Sequence, residues 1–500
     1  MDTDVLIVGA GPAGLALAAV LADQGVDFRI VDRKAGPVAE SRAAIVHVRT
    51  LELLHRLGLA ERAVARGVKM TRVEICERGR LAGGFPLAGP GSSTLFPYAL
   101  GLEQDRTEQL LVESLAERGH SVEWNTELVT LTGTAAVFST GETIEARWVV
   151  GADGARSPVR HAIGVGFAGN TYGLTGLLAD VDLDQRSGPK LRDGTLRLNL
   201  TRGGFVGVFR LANGRHRLFG AVPPHLTPPG PTDDVSHEAY APVPLADIQR
   251  WFDEYFAVDA AVTAAAWTAL FRIHSRIADR FRAGDVFLVG DAAHIHSPAG
   301  GQGMNLAIGD AFNLGWKLAA VANGQAREEL LDSYEAERRP VAMAVLRGTD
   351  RGFALETTLN PVAAWLRSHV AARLIGPLTR LPAVRARVFR LFSQTWIGYR
   401  TSPAVAPGGG PAPRPGDRAA FDTVGDTRHH LLVFEGGERT PIEDLLRRYT
   451  VDVRVHAIPE SRLFLIRPDG HIAYAGRPDD LGRLAAFLDR HYARRPTSDN

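Results

Sequence analysis

The sequence predicts an α/β protein of about three units, and three features of the 500-residue chain carry that expectation. An unbroken apolar run, Val5 to Val8, leads through a glycine-rich turn and a helical stretch to a second apolar run, the pattern of a buried parallel βαβ unit. Residues Thr195 to Thr201, Gly204 to Arg210 and Arg217 to Val222 alternate in the manner of half-buried antiparallel strands. Proline and glycine crowd residues 403–417 and mark a linker before a last unit. Composition agrees: 45% hydrophobic and 23% charged residues exclude a fibre, a coiled coil or a disordered tail. With 57 basic and 56 acidic residues the net charge is +1, so no global field favours nucleic acid or an acidic membrane. The lone Cys76 excludes a disulfide scaffold and suits a reducing compartment.

Each element of the first unit has a physical role. Val5 to Val8 reads as a strand, Leu15 to Ala22 as a helix, and Val26 to Val31 as a second strand ending at Asp32. Between them lies Gly9-Ala10-Gly11-Pro12-Ala13-Gly14, where Gly9 permits a tight turn, Gly11 lets a pyrophosphate approach the backbone and Gly14 allows close helix–strand packing. The helix N-terminus offers free N–H groups to phosphates, and Asp32 offers a carboxylate to a ribose. This Rossmann-like fingerprint predicts dinucleotide binding without separating NAD from FAD. Val5 to Ala22 also approaches the length of a membrane span. Its acidic leader and its glycines argue instead for a cytoplasmic protein with no membrane partner.

Two further motifs follow. Trp148 to Arg160 reads as strand, turn and helix start, with Asp153-Gly154 in the turn, Ser157 as N-cap and Pro158 at the first helical position. By itself it is no more than a capped helix. Asp285 to Asn305 says more: strand Val286 to Val289, then Gly290-Asp291, a Pro/Gly-rich turn through Pro298, Gly300, Gly301 and Gly303, and a helix from Met304-Asn305 to about Ala322. An acid at the strand end can hold a polyhydroxyl chain, and a glycine turn admits a flat ring. A helix N-terminus beside that ring stabilises negative charge on the N1–C2 edge of a reduced flavin. Asp291, His294 and His296 have the chemistry of metal ligands, but the sequel supplies no further ligand, so no metal is expected.

In this order and at these separations the three motifs resemble the single-component, para-hydroxybenzoate hydroxylase-like flavin-dependent aromatic hydroxylases, over about residues 1–345. The resemblance implies a glutathione-reductase-type FAD domain over 1–170 and 281–345. An antiparallel substrate domain over 171–280, with parts of 72–100, is inserted into it and roofs the flavin. It assigns FAD contacts to Gly9, Gly11, Pro12, Ala13, Gly14, Asp32 and Arg33, to Arg42 along the pyrophosphate, and to Gln104 beside the ribityl chain. It adds Leu128, on a Val122 to Leu131 strand near the adenine, then Asp153, Asp291, Pro298, Gly301, Gly303, Met304 and Asn305. Residues 346–402 read as Arg- and Leu-rich helices, a brace or self-association surface. Residues 418–500, with strands Leu431 to Phe434, Val451 to Ile458, Leu463 to Arg467 and Ile472 to Ala475 and a helix Leu481 to His491, resemble the thioredoxin-like appendage of the phenol hydroxylase branch and of antibiotic-tailoring hydroxylases. That appendage has no cysteine here, which excludes thiol–disulfide chemistry and leaves a structural or dimer-supporting role.

The resemblance implies a tight, non-covalent FAD reduced transiently by NADPH or NADH, with O₂ adding to give a flavin C4a-hydroperoxide that hydroxylates a small aromatic substrate. No second fingerprint serves the nicotinamide. Baeyer–Villiger or epoxidising insertion on a polyketide is the alternative within the family; a non-catalytic flavin- or ligand-binding protein and an NAD-dependent dehydrogenase are alternatives outside it. No Trp-x-Trp pair supports a halogenase. On the substrate side His47 and Arg42 are candidates for a proton relay, and Pro298 and His296 for the flavin's other flank. Arg217, with Arg210 and Arg215, is a candidate for neutralising an anionic substrate. A packing histidine competes for His47, and a solvated strand face for each arginine. The expected state is monomer or homodimer.

Overall fold

The computed structural model describes residues 1–37, 41–77, 80–87, 93–187, 191–201, 204–222, 243–256, 258–297, 299–357, 377–408, 411–419, 425–435 and 439–496. Pro298, the Pro-rich loop Pro223 to Pro231, part of the expected helical segment (358–376) and part of the linker (409–410) lie outside the described residues.

Strand Thr3–Val8 is almost wholly buried and runs parallel between Phe28–Val31 and Thr143–Gly151, which in turn pairs in parallel with Val286–Leu288. Its apolar run therefore meets neighbours on both edges and helices on its faces, as central parallel strands require. The register places Val8 opposite Gly151, and Gly151 opposite Leu288. Each of these strand ends leads into one of the glycine-containing motifs, so motifs about 140 residues apart in the chain emerge side by side at one edge of the sheet, where open α/β sheets bind ligands.

Helix α1 (Pro12–Asp23) begins three residues earlier than its apolar run suggests, because Pro12 supplies a preset φ at N1. The second strand begins at Phe28, not Val26, and the expected Val122 to Leu131 strand shrinks to Leu128–Thr132, with Glu123 making only an isolated bridge to Val31. Helix α2 (Val48–Arg56) follows, N-capped by His47, and helix α3 (Gln104–Glu117) packs on α1. Serine157 and Asp153 cap the short helix α4 (Pro158–Ala162): Ser157 Oγ accepts from the Arg160 amide and Asp153 Oδ2 from the Val159 amide, each at 2.9 Å.

The inserted sheet has eight strands, the longest an antiparallel pair toward one edge, Phe167–Ser187 and Asp259–Ala278. Strands His216–Ala221, Gly204–Arg210 and Thr195–Thr201 extend it; Arg72–Glu77 joins Thr195–Thr201 in parallel and pairs antiparallel with the edge strand Arg80–Pro86. Helix α5 (Leu245–Tyr255) covers one face with Ile248, Trp251 and Phe252. The other face carries Leu196, Leu198, Phe209 and Phe219 toward the parallel sheet. A two-strand bridge, Arg276–Ile277 with His294–Ile295, stitches this sheet to the third motif.

Helix α6 (Gly303–Ala322) crosses α1 closely: a Cβ on Gly315 would lie 2.9 Å from Val20 Cγ1. Helices α7 (Ser333–Thr357) and α8 (Pro382–Phe392) follow. The last unit is a mixed four-stranded sheet, ordered Val453–Ile458, His429–Phe434, Leu463–Ile466, Ile472–Gly476, with helix α9 (Leu481–His491). Its first pair is parallel and the others antiparallel. No helix among the described residues is long and apolar enough to cross a membrane.

The glycine turn yields a paired prediction. A Cβ on Gly14 would lie 1.9 Å from the Gly9 carbonyl oxygen, whereas one on Gly11 meets nothing within 4 Å. In chemical denaturation Gly14→Ala is expected to cost about 3 kcal/mol. Gly11→Ala should stay within about 0.5 kcal/mol of the parent, yet weaken dinucleotide binding on the order of tenfold. Equal stability loss in the two variants would contradict this division of labour.

Candidate active site

One cavity of about 990 Å³ opens between the motif edge of the parallel sheet and the inner face of the inserted sheet. Its first end is lined by Gly9, Gly11, Pro12, Ala13, Asp32, Arg33 and Leu128. Here Gly9 adopts φ +106°, and a Cβ on it would lie 2.4 Å from the Ala152 carbonyl oxygen, so the first and second motifs touch and only glycine fits. Asp32 holds the turn from below, its carboxylate accepting from the Ala10 amide at 2.6 Å and the Lys34 amide at 2.8 Å. Arg33 is exposed at the rim, 3.9 Å from Glu127. No side chain caps α1 at Gly11, leaving the N-terminal N–H groups to whatever enters the cavity.

The middle is lined by Arg42, Gln104, Asp153, Asp291, Gly301, Gly303 and Met304. Burial raises the Asp153 carboxyl to about 6, and its Oδ1 is a buried acceptor with no protein partner. Desolvation also raises Asp291, opposed by His294 and Arg42. Gln104 is oriented by its own neighbours, its Oε1 accepting from the Ala43 amide at 3.3 Å and its Nε2 donating to Glu108 at 3.0 Å. Gly300 and Gly301 take φ of +78° and +62°, a consecutive left-handed pair that turns the chain into α6.

Two residues that the resemblance assigns to the cofactor lie off the cavity wall. Asn305 is not on the cavity wall: its side chain accepts from the His47 amide (2.7 Å) and donates to the carbonyls of Ile45 (2.8 Å) and Gly301 (2.9 Å), locking the turn from behind. Gly14 is likewise off the wall and acts through packing. A buried carboxylate performs a related task for Asp291. Asp310 of α6 accepts from the Gly290 amide (3.1 Å), pairs with His294 (2.7 Å) and receives Arg338 Nε (2.6 Å). This gives His294 Nε2 a structural partner, and among the described residues no cluster of three or more metal-ligating side chains occurs.

Beside the turn stand two imidazoles. His47 Nε2 lies 2.9 Å from the Gly300 carbonyl, which can only accept, so Nε2 carries the proton and Nδ1 is left as the basic nitrogen. Burial lowers its pKa to about 4. His296 has the opposite tautomer, Nδ1 donating to the Ser297 carbonyl at 2.7 Å, and burial lowers it to about 4 as well.

The far end is apolar, walled by Met70, Phe85, Phe209, Phe219, Phe271 and Phe392. Arg217 reaches it, but its guanidinium grips Asp180 through Nε and through Nη2 (2.8 Å) and lies over Trp267, 5.3 Å from the ring centre. Arg210 and Arg215 are outside the lining and pair with Asp193 (2.7 Å) and Asp182 (3.5 Å), so they do not confront a ligand. The expectation that residues 346–402 form only a brace or surface is also overturned: Val384, Val388, Phe389 and Phe392 of α8 line the cavity. Their spacing of four, with Phe389 beside it, was a readable helical stripe.

A dinucleotide turn, an acid at a neighbouring strand end and an apolar chamber sharing one cavity define the site of a cofactor-dependent enzyme. Comparison gives the cofactor. Residues 2–349 match the family described as the FAD binding domain. The chain is 37% identical over 502 residues to the rifampicin monooxygenase of Streptomyces venezuelae, covering 97% of this chain and 98% of that protein. It is 34% identical over 539 residues to the 6-methylpretetramide 4-monooxygenase of Streptomyces rimosus, covering 97% and 92%. The solved structure of the flavin-dependent monooxygenase PieE in complex with FAD and substrate superposes with a TM-score of 0.76 at 26% identity, over 98% of this chain and 99% of that one. The chain belongs to this FAD-binding family and is an FAD-dependent monooxygenase.

The neutral His47 gives a pH prediction. Unfolded, a histidine titrates near 6.5; folded, His47 titrates at about 4. The folded state therefore binds fewer protons, and this stability is present above pH 6.5 and lost as pH falls toward 4. Between pH 6.5 and 4.5, urea unfolding of His47→Gln should lose about 2 kcal/mol less than the parent. Parallel pH profiles would contradict a neutral, buried imidazole.

Proposed function

We propose that the protein hydroxylates an aromatic ring of polyketide type, using NAD(P)H as reductant and O₂ as the oxygen source. The observation that carries this reading is the aromatic chamber of Phe85, Phe209, Phe219 and Phe271 sharing one cavity with the Gly301–Met304 turn. An apolar chamber excludes water and favours a flat, weakly polar substrate over a small anion. The relatives named for 6-methylpretetramide and rifampicin support a multi-ring substrate.

The residues present fit FAD. Gly11 leaves room for a pyrophosphate, the orphaned Asp153 Oδ1 awaits a donor, and Asp291 at its strand end suits a polyol. In this reading Gly9 to Ala13, Asp32 and Leu128 hold the adenylate half. Arg42 neutralises pyrophosphate charge, Gln104 and Asp291 bind the ribityl chain, and Gly301 to Met304 cradle the ring. When bound, the flavin supplies two-electron acceptance from the nicotinamide and transfer of one oxygen atom.

The chain's own residues position and desolvate. The start of α6 presents N–H groups to developing negative charge. Arg217, already neutralised by Asp180, suits a substrate carbonyl or hydroxyl rather than a carboxylate. His47 Nδ1 is the ring nitrogen left to accept a substrate proton, its other nitrogen being committed to Gly300.

Purified protein should be yellow with FAD released on denaturation. Among anthracycline-, tetracycline- and ansamycin-type rings, an accepted substrate should speed NAD(P)H oxidation about tenfold or more and gain one oxygen atom. Arg217→Met should raise KM about tenfold while the flavin spectrum is unchanged. NAD(P)H oxidation that no ring stimulates, or flavin binding without any oxygenated product, would overturn the substrate assignment.

A further inference from the structure

The terminal unit has no cysteine and none of its described residues lines the cavity, yet it pushes a charged turn deep into the FAD-binding part of the molecule. The turn joins strands Leu463–Ile466 and Ile472–Gly476, and its Arg467 is wholly buried. Arg467 donates to both oxygens of Glu337 on α7, at 2.6 and 2.8 Å, and to both oxygens of Asp469 in its own turn, at 3.1 and 2.5 Å.

Helix α6 enters the same cluster. Lys317 Nζ donates to Glu337 at 2.9 Å, and Asn313 donates to Glu337 at 2.5 Å and to Asp469 at 3.3 Å. The cluster holds two cations, Lys317 and Arg467, and two carboxylates, Glu337 and Asp469, so it is neutral as a set and sealed from water. Helix α2 is held from the other side. Arg49 donates to the Asp469 carbonyl oxygen, and Arg56 covers Gly470, where φ is +76° and a Cβ would lie 2.9 Å from Arg56 Nη2.

These two helices both begin at the cavity. His47, the N-cap of α2, is two residues from Arg49, and Gly303 opens α6 about 15 Å along the axis from Asn313. A buried charge cluster is a poor way to gain stability, since apolar side chains of similar volume often do as well; what it specifies is arrangement, because any other register strands a charge.

We propose that Arg467 is a positioning residue for the flavin: by bridging Glu337 and Asp469 it fixes α2 against α6 and so sets the Gly300–Gly303 turn between them. The terminal unit then serves the reaction as a wedge. Because the proposal rests on FAD being held at that turn, its test compares variants of a protein whose parent is first shown to bind FAD.

The experiment measures the FAD dissociation constant by recovery of free-flavin fluorescence, the visible circular dichroism of the bound flavin, and thermal unfolding. Arg467→Met leaves two buried carboxylates against one ammonium and should weaken FAD binding at least tenfold and alter the flavin dichroism. In E337Q/R467M the charge again balances but the two-sided grip stays lost, so the melting temperature should recover while FAD binding stays at least fivefold weaker than in the parent; full recovery of affinity and dichroism would assign the effect to charge balance alone and overturn the proposal. Arg467→Lys keeps the charge without the two-sided grip and should fall between Arg467→Met and the parent; it carries the test if Arg467→Met does not fold. Thr427→Ala breaks a contact of the same unit with the far end of α1 (Gln24 Nε2 to Thr427 Oγ1, 2.7 Å) and should leave FAD affinity unchanged. Parental FAD affinity and dichroism in folded Arg467→Met or Arg467→Lys would overturn the proposal. So would losses in Arg467→Lys and Thr427→Ala that simply follow their melting temperatures.

Discussion

The register of the parallel sheet is the constraint on which the rest depends. Val8, Gly151 and Leu288 lie abreast, so the turns that follow them open at a common edge. A slip of one residue in any pair would turn the side chains of that strand to the opposite face and move its motif out of line. The register is secured by two-sided burial: Val5, Leu6, Ile7, Val149 and Val150 are fully buried, and each must find apolar neighbours above and below the sheet. Close approach at Gly9 and Gly14 then presses the first turn onto the second, which is why those positions carry no side chain.

Charge is handled differently in the two halves of the cavity. On the cofactor side, polar groups remain unsatisfied by protein: the Asp153 Oδ1, the uncapped start of α1 and the uncapped start of α6. On the ring side it is charge that is cancelled. Arg217 is closed by Asp180, and desolvation keeps His47 and His296 uncharged near neutral pH. Unsatisfied donors and acceptors make one half a binding surface for a charged, hydrogen-bonding group, and cancellation makes the other fit for a neutral aromatic ring. Beyond the cavity, the same economy governs Glu337, which burial would raise but which Arg467 and Lys317 hold well below the usual carboxylate range.

Much of this was legible in the sequence because it is local. The Gly9–Gly14 turn, the Ser157 cap and the Gly300–Gly303 turn are set by short-range sterics and hydrogen bonds, so residue type and spacing announce them. Asn305 escaped because its type is compatible with touching a ligand or bracing a turn, and only the tertiary partners Ile45, His47 and Gly301 decide between them. The same holds for Arg217: a strand arginine is legible, its closure by Asp180, which is 37 residues away, is not. The wall contributed by α8 was missed for another reason. Its apolar stripe was visible, but nothing local tells an amphipathic helix which surface it will cover. The charges at Lys317, Glu337, Arg467 and Asp469 come from distant segments and acquire meaning only when the fold brings them together.

The most direct measurement is a crystal structure of the purified holoenzyme. The account predicts an FAD whose adenosine lies by Gly11 and Asp32 and whose isoalloxazine rests against Gly301 to Met304, with the phenylalanine chamber open on its far side. A dinucleotide bound elsewhere, or a different group filling that cavity, would contradict it.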